Sequence, residues 1–202
     1  YSIQRNKKIA LIMDVGPSPE KKFSKDYQSG ALSFEIISNG NKIICNSGYF
    51  QNYEHKLNEL SKSSATHSTL IVDSNSSCKL RKVGNKSSVI EKGLKILNKS
   101  SVFEKNYWNI TASHNGYLKK YGIVHERKIE FFPENKKFIG TDTLKKKKNY
   151  KNTNFEIRFH LHPSSKIMKT QDNKSIFVEL YNEGWKFTCN NYEINLETGL
   201  YF

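Results

Sequence analysis

The sequence predicts an all-β fold, an antiparallel two-sheet β-sandwich of about a dozen strands with little helix, on three observations. Apolar residues recur mainly at a spacing of two, short strand-like segments are separated by Gly, Asn and Pro turns, and almost no stretch shows a helical repeat. The 202 residues, 36% of them hydrophobic, are enough for one substantial core. A single domain over residues 1–202 is expected, and its polar, strand-like start at Tyr1 reads as a piece of a longer protein.

The elements follow in order. Residues 9–13 are a short apolar run that stops at Gly16-Pro17-Ser18-Pro19, a buried strand followed by a loop. Residues 31–38 alternate Leu32, Phe34 and Ile36 with Ser33 and Glu35. Asn39-Gly40 then tolerates positive φ, so residues 42–46 fold back as a hairpin partner. Residues 48–63 carry Gly48, Tyr49, Phe50, Tyr53 and His55 with little periodicity and read as a long loop with one helical turn at most. Loops of that length inside compact domains are often functional. Residues 65–73 are strand-like by their Thr, Ile and Val content, and the serine-rich 74–77 ends them. Residues 78–106 read least clearly, as short strands.

Strands at 107–112 and 121–132 flank a turn at Asn115-Gly116, and another strand is expected at 138–144. In the second of these, Ile123, His125, Arg127, Ile129 and Phe131 share one parity, so a polar pair sits on an otherwise apolar face. Lysines at 145–148 and the following residues to 153 read as a solvated loop tip. Residues 155–162 alternate Phe155, Ile157, Phe159 and Leu161 with Glu156, Arg158, His160 and His162, and Pro163 terminates the strand. Strands at 176–180, 185–189 and 192–196 complete the set.

The net charge of +14 would attract a polyanion, either an acidic polysaccharide or nucleic acid, although Lys and Asn enrichment throughout the chain also fits a plain solvated surface. No nucleic-acid module with interleaved aromatic and basic residues is present, so no nucleic-acid partner is expected. Nor is there an apolar run of about 18 residues, so no membrane partner is expected. Cys45, Cys78 and Cys189 are widely spaced and odd in number, with no metal-binding or disulfide pattern. The pair His160-x-His162 is a weak zinc signal, since no acidic residue is placed by sequence to complete it. His125, Arg127, Arg158, His160 and His162 either converge on one sheet face, offering cationic donors to sugar carboxylate or sulfate groups, or satisfy one another in a polar layer.

The blocks GALSFEI (30–36), IICNSG (43–48), ATHSTLIVDSNSS (65–77), ASHNGYLKKYGIVHERKI (112–129), FEIRFHLHP (155–163) and EGWKF (183–187) run in an order that resembles the C-terminal domain of bacterial heparinase II/III-like proteins. That resemblance implies a polysaccharide lyase acting on uronic-acid-containing chains by β-elimination, with an N-terminal (α/α) toroid as partner domain and the sandwich completing the cleft. It implies Tyr53 and His67 as catalytic candidates and adds His114 and Tyr117 to the substrate-binding set of His125, Arg127, Arg158, His160 and His162. It implies a periplasmic or secreted setting, an acidic polysaccharide as substrate and a sandwich inactive alone, and leaves a homodimer open. A non-catalytic module that binds acidic glycan, or packs on its partner domain, is the alternative. Some such lyases hold a structural zinc in the sandwich. The corresponding positions here fall near Gln28 and on Asn46 and His67, so neither a metal nor another cofactor is expected.

Overall fold

The computed structural model describes residues 1–84, 87–147, 151–190 and 192–202. Strands come first: β1 (Ser2–Arg5), β2 (Ile9–Met13), β3 (Phe34–Ser38) and β4 (Asn41–Cys45). The short helix α1 (Lys56–Ser61) follows, then β5 (Leu70–Val72), β6 (Lys79–Val83), β7 (Ser87–Lys92), β8 (Ile96–Phe103) and β9 (Trp108–His114). A single turn of helix, α2 (Leu118–Tyr121), leads into β10 (Ile123–Phe132) and β11 (Lys137–Lys146). Last come β12 (Phe155–Ile157), β13 (His160–Leu161), β14 (Lys166–Lys169), β15 (Ser175–Leu180) and β16 (Glu183–Thr188).

All the pairings are antiparallel, in two larger sheets ordered β1-β2-β3-β4-β13 and β11-β10-β9-β8, with smaller sheets β12-β5, β14-β15-β16 and β6-β7. One apolar cluster joins Leu11, Met13, Phe34 and Ile44 of the first sheet to Ile110, Ala112 and Ile129 of the second, and Ile176, Val178 and Leu180 of β15 close it. The two larger sheets thus share a core, and the third sheet covers part of it. Burial in β10 alternates strictly, residue by residue, as its period-two pattern demands.

Five segments depart from the sequence reading. The turn after β9 contains α2, ended by Gly122 in the left-handed region (φ 67) that a helix C-terminus favours. The expected continuous strand at 155–162 is two strands on different partners: β12 pairs with β5, whereas β13 pairs with β4. Between them Arg158 N–H donates to the Thr69 carbonyl and His160 N–H to Ser68 Oγ, so residues 68–69 fill the gap where the strand changes neighbour. Residues 192–196 form no strand, and the strand expected at 65–73 shortens to β5 behind a 3-10 turn at Ser64–Thr66. Of the expected lysine loop tip, Lys145 and Lys146 end β11 instead, and residues 148–150 lie outside the described residues.

Candidate functional site

The polar pair on the apolar parity of β10 has its reason in strand register. Arg127 lies opposite Asp142 of β11, and His125 lies opposite His114 of β9. Arg127 Nε and Nη2 donate to the two Asp142 carboxylate oxygens at 2.8 and 2.9 Å, a fork-to-fork pair. Its Nη1 donates to the carbonyls of Leu32 and Ser68 at 2.9 and 2.7 Å, tying the second sheet to the loops beside the first. The Gly116 N–H donates to His114 Nδ1, which leaves the His114 proton on Nε2, facing His125 Nδ1 at 3.3 Å. His125 Nε2 then donates to Asp142 Oδ1 at 2.6 Å, so both rings are neutral with defined tautomers.

Burial, joined by the charge of Arg127, holds His114 well below the usual imidazole range, and burial likewise lowers His125 against the pull of Asp142. Burial alone would raise Asp142, but the Arg127 charge and the hydrogen bonds from both partners hold it far below the carboxylate range. Tyr117 donates to the Leu70 carbonyl at 3.0 Å. His114, Tyr117, His125 and Arg127 are each no more than 1% exposed. The structure therefore corrects the expectation of a shared binding surface for these four. Their register aims them at Asp142 and at backbone carbonyls inside the fold.

His67 is interior as well, although the resemblance implies a catalytic role for it. Its Nδ1 donates to the Ser63 carbonyl at 2.7 Å and its Nε2 lies 2.9 Å from the Gln28 side-chain amide. Burial pushes its pKa down to about 4, so the ring is neutral. Asn46 is committed elsewhere: Oδ1 accepts from the Ser68 N–H at 2.9 Å and Nδ2 donates to Glu35 at 3.1 Å. Amide oxygens are poor zinc donors, and Asn46 Oδ1 already accepts the Ser68 N–H, so Gln28, Asn46 and His67 do not fit zinc.

His160 and His162 do not join the buried group. His160 is half-buried, accepting from Ser47 Oγ and donating to the Ala65 carbonyl, both at 3.0 Å. His162 is held by Ser164 and stacks edge-on against Tyr201. Arg158 forks onto Glu156.

The accessible cluster lies around Tyr53. The loop after β4 carries Tyr49 and Tyr53, and both phenols donate to the same oxygen, Asp26 Oδ1, at 3.0 and 2.6 Å. Buried Asn58 of α1 fixes that loop by donating to the Phe50 carbonyl at 2.6 Å and to Tyr49 Oη at 3.3 Å. Phe202 closes the loop's other end, its N–H donating to the Ser47 carbonyl at 2.6 Å. Lys62, just past α1, is buried beneath both rings and donates to the Lys25 carbonyl at 2.6 Å. The Lys25 ammonium stands 4.1 Å from the Tyr53 ring centre. Hydrogen bonding to Asp26 raises the Tyr53 pKa, while burial raises Tyr49 to about 12. Asp26 is lowered, first by the bond from Tyr53. Sequence reasoning named Tyr53, with Tyr49 and His55 as neighbours, and missed Asp26, Lys25 and Lys62; a lone acid in the basic run KKFSKDY was the available signal.

A family model described as heparinase II/III-like, C-terminal, matches residues 1–202. No curated protein matches the sequence. Among solved structures, a mutant heparan sulfate lyase from Pedobacter heparinus superposes with a TM-score of 0.60 at 19% identity, over 85% of this chain and 24% of that one. A heparinase III with methylated lysines gives a TM-score of 0.60 at 14% identity, over 85% of this chain and 23% of that one. At these identities the likeness is one of fold, and this chain spans about a quarter of the length of either structure.

Proposed function

Because the chain belongs to the heparinase II/III-like, C-terminal domain family, we propose that it is the sandwich portion of a polysaccharide lyase, working beside an N-terminal toroid in a periplasmic or secreted enzyme. In this reading the intact protein cleaves an acidic, uronic-acid-containing glycan by β-elimination. A neutralised uronate makes the C5 proton acidic, a base removes it, and a phenol protonates the leaving oxygen. The sandwich supplies one wall of the cleft and does not turn over substrate alone.

The observation that carries this reading is the exposed loop cluster, where the Tyr53 phenol is held against Asp26 with the Lys25 ammonium at its ring. It offers a proton donor and a cation on one accessible surface, which the buried imidazoles do not. Full-length protein incubated with a panel of acidic polysaccharides should release product absorbing in the unsaturated-uronate band. Tyr53→Phe should cut that rate at least ~100-fold, the scale of general acid catalysis. Turnover unchanged by Tyr53→Phe removes Tyr53 from the site, and no product from any glycan removes the lyase assignment.

A non-catalytic module, binding acidic glycan or packing on its partner domain, has one observation in its favour. Four of the residues named for substrate binding hold the fold together from inside. Binding without product, across the whole panel, would select it.

A further inference from the structure

The surroundings of Asp26 are more tightly built than an exposed acid requires. Ser24, two residues before it, is buried and accepts the Ile90 N–H on its hydroxyl at 2.9 Å. The carbonyl of the adjoining Lys25 receives the buried Lys62 ammonium, and the Ser29 N–H returns to the Lys62 carbonyl at 2.8 Å. The backbone on both sides of Asp26 is thus anchored to other elements, although its own side chain is at the surface. Two phenols from a loop more than twenty residues away meet a single oxygen of this carboxylate. Tyr49 already accepts from Asn58, so its proton points at Asp26, and Tyr53 makes the shorter bond of the pair.

We propose that Asp26 is a positioning residue of this site: its carboxylate orients the Tyr53 hydroxyl and keeps the proton on it, so that Tyr53 delivers a proton to the leaving glycosidic oxygen and does not collect one from the sugar ring. The inference rests on the lyase reading. The C5–H bond breaks with its proton passing to a base supplied elsewhere in the intact protein, an imidazole or a phenolate. The electron pair left behind forms the C4–C5 double bond as the C4–O bond breaks. The Tyr53 hydroxyl turns its single proton from Asp26 to the departing oxygen as the C4–O bond breaks, and the resulting phenolate, destabilised by the neighbouring carboxylate, is reprotonated from water. A carboxylate next to a phenol disfavours the phenolate by charge repulsion and by losing a charge-assisted hydrogen bond. Tyr53 therefore rests protonated, as a proton donor must and a proton acceptor must not.

The test uses the full-length protein with Asp26→Asn, Asp26→Glu and Tyr53→Phe, reading the rate of unsaturated product across pH and the ionisation of carbon-13-labelled tyrosine by NMR. Asp26→Asn should lower turnover at least tenfold and move the alkaline limb of the pH profile to lower pH, because the phenol then loses its proton earlier. The Tyr53 NMR titration should move the same way, and Asp26→Glu should restore part of both. An Asp26 that serves only the fold would leave the alkaline limb of turnover in place, even where the Tyr53 titration moves. If Tyr53→Phe abolishes turnover while Asp26→Asn leaves rate and alkaline limb unchanged, this inference falls and the lyase reading stands. If Tyr53→Phe is fully active, both fall at this site. In a protein with no measurable turnover, a Tyr53 titration unchanged by Asp26→Asn overturns the role of Asp26 by itself.

Discussion

His67, His114 and His125 keep neutral imidazoles in the interior, and this sets an acid limit on the fold. In the unfolded chain each ring takes up a proton near its ordinary value of 6.5, whereas burial depresses that value in the folded state. The unfolded state therefore binds more protons as pH falls below 6.5, and the stability present above that pH is progressively lost. With His67 at about 4 when folded, that residue alone withdraws about 3 kcal/mol between pH 6.5 and 4. His114 and His125 act in the same direction, facing Arg127 and Asp142. Denaturant unfolding at pH 7.5 and pH 5 should show a lower midpoint at pH 5, and equal midpoints would show that these rings are charged or solvated. Much of this is illegible from residue types. His125, Arg127, Arg158, His160 and His162 are compatible by residue type with a binding face and with a polar layer, because alternation fixes which side a side chain takes but not what lies opposite.

Opposite Arg127 is Asp142, and the register of β10 against β11 is what completes the pair. The alternation of Ile123, His125, Arg127, Ile129 and Phe131 is legible in the sequence, and so is a strand near Asp142 on the parity of Phe138 and Leu144. A lone carboxylate on an apolar parity was the available clue, but pairing register depends on turn geometry that the residues between do not spell out. The helix α2 escaped notice because four residues are too short to show a 3.6 period, and only the left-handed Gly122 marks its end. Asp142→Ala should destabilise the fold by about 3–5 kcal/mol, because it strands the Arg127 guanidinium in the interior and strips His125 of its acceptor. Thermal unfolding is the check. A loss under about 1 kcal/mol would mean that water reaches Arg127 and takes over from the carboxylate.

Taken whole, the chain is an all-β body with most of its +14 charge on exposed lysines, and this much was readable from composition and turn spacing. The smaller sheets beside the two larger ones, among the described residues, were not readable, since a strand that changes neighbour at Arg158 keeps its alternation on both sides of the break. Retention of the protein on an immobilised acidic polysaccharide should fall steeply between ~0.05 M and ~0.5 M salt, as the screening length shrinks through 10 Å near 0.1 M. Retention insensitive to salt would assign binding to apolar or hydrogen-bonded contacts. The pairing of β13 with β4 bears on how this molecule is made. During synthesis β1 to β4 leave the ribosome long before His160 and Leu161, so β4 presents bare amides and carbonyls to whatever strand is nearest. A nascent chain stalled before residue 160 should accordingly be the stage most in need of a chaperone, and premature termination there should give aggregates in place of a smaller soluble protein.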